Sequence, residues 1–120
     1  MSNGRRILVV DDDSEVRVFM SEALTAAGFT VEQAEDGHAA LQRTVASTFD
    51  IIVLDLRMPR MDGRAFLDQY LRVDGKRAQI LLCSAQEADD LAGKEPCASR
   101  ILLKPFGLAQ LYAAIEQCTG

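Results

Sequence analysis

The sequence predicts an α/β fold in which five parallel strands alternate with helices, and three observations indicate it. Short apolar runs recur along the chain, and helical spacing of apolar residues follows most of them. Uncharged runs of this kind are typical of strands buried on both faces of a parallel sheet. The chain has 120 residues and 48% hydrophobic residues, which suits one domain built from five such units, so we expect residues 1–120 to form a single domain.

The five strands differ in polarity, and the difference sets the second strand apart. The first, third, fourth and fifth contain uncharged apolar runs, so we expect them to be buried in the sheet. The second contains Glu32 and Gln33 and should lie nearer an edge. The predicted strands cover residues 7–10, 30–34, 51–54, 79–83 and 100–103.

Helix boundaries follow from capping residues and glycines. Asp13 or Ser14 can cap the first helix, Gly28 ends it, and Asp36 opens the second. The third begins at Asp62-Gly63, and the last follows Pro105. The predicted inward-facing residues are Val16, Phe19, Met20, Ala23, Leu24 and Ala27 in the first helix, Ala40, Leu41, Thr44 and Val45 in the second, Phe66, Leu67, Tyr70 and Leu71 in the third, and Leu108, Leu111, Tyr112 and Ile115 in the last.

The segment between strands four and five is less regular than the others. Residues 86–92 have room for about two helical turns, and Gly93 and Pro96 then break the pattern. We therefore expect a short or irregular fourth helix followed by a loop.

Composition excludes several classes of function. The net charge is −5 and the sequence contains no basic stripe, so direct nucleic-acid binding is not expected. No segment is apolar enough for a signal peptide or a membrane span. The three cysteines, Cys83, Cys97 and Cys118, lack metal-ligand spacing and are expected to be reduced thiols. These features predict a cytoplasmic protein.

Polar side chains stand where apolar runs stop. Asp11-Asp12, Asp55, Ser84 and Lys104 each follow a predicted strand directly. Ligands of open parallel sheets bind at the carboxyl ends of the strands, so these groups should converge on one rim. Carboxylates, a hydroxyl and an amine together suit a divalent cation and a phosphoryl group.

Each of these residues also has a simpler interpretation. Asp11 and Asp12 are candidates for helix capping, and Asp55 for a strand-end turn. Capping requires one carboxylate, however, and consecutive carboxylates repel one another, whereas Mg²⁺ would offset their charge. Beside the metal, Asp55 has a second oxygen that can act as a nucleophile, and the backbone carbonyl of Arg57 can face the cation.

Ser84 and Lys104 allow the same two interpretations. Serines after strands are often turn formers, and a lysine before Pro105 can be a surface residue. On a shared rim, the hydroxyl can instead bond a phosphoryl oxygen, and the amine can neutralise developing phosphate charge. The occurrence of all these groups at successive strand ends favours the functional interpretation.

The motifs resemble the CheY-like receiver domain of bacterial response regulators over essentially all 120 residues. They are Val9-Val10-Asp11-Asp12, Ala34-Glu35-Asp36-Gly37, the stretch from Val53 to Gly63, Ser84-Ala85 and Lys104-Pro105-Phe106. The resemblance implies a flavodoxin-like (βα)5 fold with a doubly wound five-stranded sheet of order 2-1-3-4-5.

The resemblance also implies a role for each site residue. Asp55 would be the phosphoacceptor, and Asp12 would coordinate Mg²⁺ directly, with Asp11 acting mostly through water. Arg57 would supply a backbone carbonyl, while Ser84 and Lys104 would contact the phosphoryl group.

The resemblance further implies partners and regulation. The phosphodonor would be a phosphohistidine on a sensor histidine kinase or phosphotransfer protein, and the output a contact with a downstream protein. The chain would catalyse only its own phosphorylation and dephosphorylation. We expect a monomer or a weak phosphorylation-dependent dimer.

Three residues set this chain apart. Ile101 occupies a position where the family often has Tyr or Phe, so we expect it to pack on the same face without a hydroxyl. The bulky side chain of Arg57 should slow or steer the access of water and phosphodonor to the site. His38, the only histidine, should face solvent on the second helix, since no partner His or Cys accompanies it.

Two alternatives remain open at this stage. One is a receiver-fold interaction module that phosphate does not switch. The other is a haloacid-dehalogenase-type phosphatase, whose Asp-x-Asp motif Asp11-Asp12-Asp13 mimics. Such enzymes need a further acidic pair after the lysine, and Glu116 is the only acid after Lys104.

Overall fold

The computed structural model describes residues 5–55, 63–72, 78–84, 100–103 and 106–119. The helix predicted over residues 86–92 lies outside these ranges. The elements are, in order, β1 (Arg6–Val10), α1 (Ser14–Ala26), β2 (Thr30–Ala34), α2 (Gly37–Ala46), β3 (Ile51–Asp55), α3 (Gly63–Leu71), β4 (Gln79–Ser84), β5 (Arg100–Leu103) and α4 (Leu108–Thr119).

The strands form one parallel sheet of order β2-β1-β3-β4-β5, which confirms the predicted fold. The chain crosses from β2 back over β1 to reach β3, so β1 and β3 are neighbours although they are not consecutive. This is the point at which the direction of winding reverses, and open α/β sheets bind ligands there.

Alternation along the strands divides the core into two layers. Leu8, Ile52 and Leu82 pack with residues of α2 and α3, including Phe66. Ile7, Val53 and Leu81 pack with residues of α1 and α4. Because helices cover both faces, β3 is buried along its whole length, from Ile51 to Asp55.

The helix ends follow the predicted chemistry. Asp13 caps α1 and Asp36 caps α2, each through a side-chain oxygen. Gly28 follows α1 with φ of 102°, a left-handed conformation that glycine adopts without the steric penalty of a Cβ. The sequence therefore specifies where these two helices begin and where α1 ends.

Some predicted inward-facing residues are exposed instead. Phe19 is 39%, Val45 85% and Leu108 47% exposed, and Ala27 is also exposed. The apolar face of each helix is wider than the part of the helix that packs against the sheet. Residues at the margins of that face therefore remain exposed to solvent. Phe19 still contacts one aromatic ring, that of Phe106, with centroids 6.5 Å apart.

The edge strand β2 carries charge, as its sequence predicts. Glu32 forms ion pairs with Arg6 of β1 and, at 3.4 Å, with Arg43 of α2. The Glu32 side chain is about a quarter exposed, at 26%. In the part of the chain that the structure describes, no helix has the length and apolar character to cross a bilayer.

Candidate functional site

The register of the sheet brings the strand-end residues to one rim. Val10 pairs with Leu54, so Asp11 and Asp55 are the next residues on adjacent strands. Asp55 in turn pairs with Cys83, and Ser84 follows Cys83 at the end of β4. The shared rim predicted from the apolar runs is thus formed by the backbones of β1, β3 and β4.

Three carboxylates meet on this rim. One oxygen each from Asp11, Asp12 and Asp55 lie within 4.8 Å of one another. Asp11 is 1% exposed and Asp55 6%, whereas Asp12 is exposed. Two buried carboxylates therefore form the base of the group, and the third faces solvent at its mouth. Such an arrangement concentrates negative charge where water screens it poorly.

Asp11 is held through three of its groups. Its N–H donates to the Ala34 carbonyl oxygen at 3.2 Å, and its Oδ1 accepts from the Asp13 N–H at 2.9 Å. Its carbonyl oxygen accepts from Nη1 of Arg17 at 2.7 Å. Arg17 was not predicted from the sequence. The available clue was a cation placed four residues after an acidic triplet, near the start of a helix where acids are favoured.

The capping interpretation applies to Asp13 and not to its two neighbours. Oδ1 of Asp13 accepts the backbone N–H of Glu15 at 2.9 Å, which satisfies one of the free donors at the start of α1. One carboxylate is enough for that task. Helix capping therefore does not account for the presence of Asp11 and Asp12 beside Asp55.

The group fits a small hard cation. Oxygens on one octahedral Mg²⁺ lie about 3 Å apart when adjacent and about 4 Å apart when opposite, given metal–oxygen distances of about 2.1 Å. The three carboxylate oxygens all lie within 4.8 Å of one another, close enough to share one ion directly or through water. The all-oxygen donor set also suits Mg²⁺ better than a metal that prefers sulfur or imidazole.

The structure describes only some of the remaining residues that the sequence singled out. Arg57, Lys104 and Cys97 lie outside the described residues, and the description of Ser84 and Ile101 is limited to the backbone. His38 is exposed on α2, as expected. Among the described residues, Cys83 and Cys118 form no disulfide, and Cys83 is buried in the core.

Comparison with known proteins identifies the same kind of domain. The family model described as the response regulator receiver domain matches residues 7–116. Response regulator MprA of Mycobacterium ulcerans is 42% identical over 113 residues, covering 92% of this chain and 48% of that protein. Transcriptional regulatory protein PrrA of Mycobacterium leprae is 38% identical over 112 residues, with the same coverages. The chain spans about half the length of these relatives.

Solved structures agree with the sequence relatives. Chemotaxis response regulator CheY4 of Vibrio cholerae superposes with a TM-score of 0.81 at 30% identity, covering 95% of this chain and 98% of that one. Response regulator TrrA of Thermotoga maritima, solved in complex with Mg²⁺ and BeF, superposes with a TM-score of 0.82 at 28% identity and the same coverages. Both have the fold described above.

Proposed function

This chain belongs to the response regulator receiver domain family, and we propose that it is a magnesium-dependent phosphorylation switch whose acceptor is Asp55. The observation that carries the proposal is the meeting of Asp11, Asp12 and Asp55 within 4.8 Å at the reversal point of the sheet. We further propose that residues 1–120 act as a single receiver domain. The match to the receiver family favours this function over the phosphatase alternative.

Asp11, Asp12 and Asp55, with the backbone carbonyl of Arg57, would hold Mg²⁺. The bound ion would supply positive charge opposite the equatorial oxygens of the phosphoryl group in a loose transition state. The donor set fits this chemistry, because it consists of three carboxylates of which two are buried. A similar protein, TrrA, was solved in complex with Mg²⁺ and BeF, which supports Mg²⁺ as the ion.

The transfer step uses the buried carboxylate of Asp55. Its oxygen forms a bond to phosphorus while the bond from phosphorus to the imidazole nitrogen of the donor breaks, and the electron pair leaves with that nitrogen. β3 holds Asp55 in place for this attack because its neighbours on β1 and β4 fix the strand on both sides. Lys104 neutralises charge on the phosphoryl oxygens, and Ser84 donates its hydroxyl to one of them.

Resetting and output follow from the same bond. Water attacks phosphorus, the bond to Asp55 breaks, and inorganic phosphate leaves with the carboxylate restored. The donor is a phosphohistidine on a sensor histidine kinase or phosphotransfer protein, and the readout is altered contact with a downstream protein. On this proposal the chain is not an enzyme acting on other molecules. Residues 1–120 contain no basic stripe, so we propose no nucleic-acid contact for them.

Intact-mass spectrometry after incubation with acetyl phosphate tests the acceptor and the metal together. With Mg²⁺, the wild type should gain the mass of one phosphoryl group, and Asp55→Ala should gain none. Asp68→Ala is a matched control, because Asp68 is an exposed aspartate on α3. Labelling of Asp55→Ala equal to the control, or labelling unaffected by EDTA, would refute the proposal.

A second measurement separates a switch from a module that phosphate does not switch. Ile101, where the family often has an aromatic residue, is the reason for making it. Beryllofluoride with Mg²⁺ should shift backbone amide NMR signals well beyond the rim in the wild type. Shifts confined to residues near Asp55 would instead support the unswitched interaction module.

A further inference from the structure

Arg17 occupies an electrostatically unfavourable place. It is the fourth residue of α1, where the partial positive charge of the helix start favours acids and disfavours cations. An arginine there would be expected to extend into solvent. Instead, its side chain is only partly exposed and turns back toward the rim, so a specific contact must offset the unfavourable position.

That contact is a hydrogen bond to the backbone of the acidic loop. Nη1 of Arg17 donates to the carbonyl oxygen of Asp11 at 2.7 Å. The carbonyl belongs to the first residue after β1. A charged donor at this distance makes a stronger bond than a neutral one.

The bond completes the fixing of Asp11. The N–H of Asp11 is bonded to Ala34 of β2, its Oδ1 to the N–H of Asp13, and its carbonyl to Arg17 of α1. Three different parts of the chain thus set the conformation of one residue. Of the three, only the bond from Arg17 is made by a side chain outside the acidic triplet.

We propose that Arg17 is a positioning residue that holds the segment from Asp11 to Asp13 in the conformation that binds Mg²⁺. This inference rests on the proposed function, because it takes Mg²⁺ as the ion that the rim receives. The charge of Arg17 by itself opposes cation binding, since it lies beside the loop that carries the carboxylates. A net gain in Mg²⁺ affinity from Arg17 can therefore come only from geometry.

Titration calorimetry with MgCl₂ alone tests the inference, without phosphodonor. Arg17→Met removes the donor and the charge but keeps an apolar side chain, and Arg17→Lys keeps the charge with a shorter reach. We expect Arg17→Met to bind Mg²⁺ about tenfold more weakly than the wild type, the lower end of what is typical when support of a metal ligand is lost. Arg17→Lys should lie between the two.

Arg43→Met is the matched control. Arg43 is an arginine on α2 that pairs with Glu32 at 3.4 Å and is 52% exposed. Its replacement should leave Mg²⁺ affinity unchanged. Should Arg17→Met fail to fold, Arg17→Gln, which is neutral and too short to make the same bond, carries the same expectation.

The direction in which Arg17→Met changes the Mg²⁺ affinity tests the inference. Unchanged or tighter Mg²⁺ binding by folded Arg17→Met would overturn the inference, because it would show that charge outweighs geometry. Hydrogen exchange of backbone amides distinguishes a local effect from a general loss of stability. In Arg17→Met, exchange of the Asp13 N–H should become faster relative to exchange of the amides in β3. Unchanged local exchange would also overturn it. Failure of the wild type to bind Mg²⁺ is a different result, since it refutes the proposed function itself.

Discussion

Two strand-to-helix junctions of this chain begin alike and end differently. After β1 comes Asp11-Asp12-Asp13, and after β2 comes Glu35-Asp36; in each case the last aspartate caps the next helix. Both caps accept a backbone N–H at 2.9 Å. The β1 junction carries two further aspartates, and these join Asp55.

Position in the sheet explains the difference. β1 lies between β2 and β3, so acids after β1 adjoin those after β3, whereas β2 lies at the edge. Asp36 is 2% exposed and its oxygen serves the start of α2. An acid after a strand thus has a structural role when its oxygen caps the next helix, and further acids at the same junction can have another role when that cap is already supplied.

The largest expected effect is a difference between the two junctions in how much Mg²⁺ stabilises the protein when each is mutated. At free Mg²⁺ of 100 times the dissociation constant, the wild type should gain about 2.7 kcal/mol in free energy of unfolding, because only the folded state binds the ion. Asp12→Asn should lose most of this gain, and Asp36→Asn should keep it. Urea unfolding followed by circular dichroism, with Mg²⁺ and with EDTA, measures both. A gain lost in Asp36→Asn and kept in Asp12→Asn would reverse the comparison.

Removing the buried cap should have the next largest effect. Asp36→Ala is expected to lower the free energy of unfolding by about 1–2 kcal/mol, since it leaves the start of α2 without its acceptor. The Mg²⁺ gain should remain. Gln42→Ala on the exposed face of α2 is the control and should change stability by less than about 0.5 kcal/mol. If the two variants unfold at the same urea concentration, Asp36 is not acting as a cap.

The exposed cap should matter less. Asp13→Ala should lower the free energy of unfolding by about 1 kcal/mol, and Asp13→Asn by much less, because Asn caps helices as well as Asp does. The same urea titrations in EDTA measure this. Equal losses in the two variants would mean that the charge of Asp13, and not its hydrogen bond to Glu15, stabilises α1.

The smallest effect is expected to be a gain. Without Mg²⁺, Asp12→Asn should be more stable than the wild type by about 1 kcal/mol, because Asp12 is the exposed member of the group and unit charges ~4 Å apart in water repel by about that amount. Raising NaCl from 0.1 M to 1 M, which shortens the screening length from about 10 Å to about 3 Å, should shrink the gain. A loss of stability at low salt in EDTA would show that Asp12 has a structural role.

Much of the fold could be predicted because local chemistry and global position agree. The uncharged run of β3 indicated a buried strand, and Glu32 with Gln33 indicated that β2 lies nearer an edge. The order of all five strands came from the family resemblance, since nothing in apolar runs alone specifies which strands are neighbours. Val45 was misassigned because helical spacing shows which residues share a face but not how wide a strip the sheet covers.

The site was predictable to a different degree. The meeting of Asp11, Asp12 and Asp55 could be predicted because they follow two strands, β1 and β3, whose ends lie on the same side of the sheet. Arg17 was missed because its bond goes to a backbone carbonyl, which every residue has and no pattern of side chains reveals. Contacts made by Ser84, Arg57 and Lys104 remain predictions from the sequence.

The ion pairs of Glu32 have a consequence for how this molecule meets others. An open strand edge invites a further strand from another chain, and a charged side chain in its middle is a common deterrent. With Glu32 held between Arg6 and Arg43, the β2 edge presents a fixed cluster of charge to any approaching backbone. Strand addition, and with it sheet-to-sheet aggregation, is discouraged along that border.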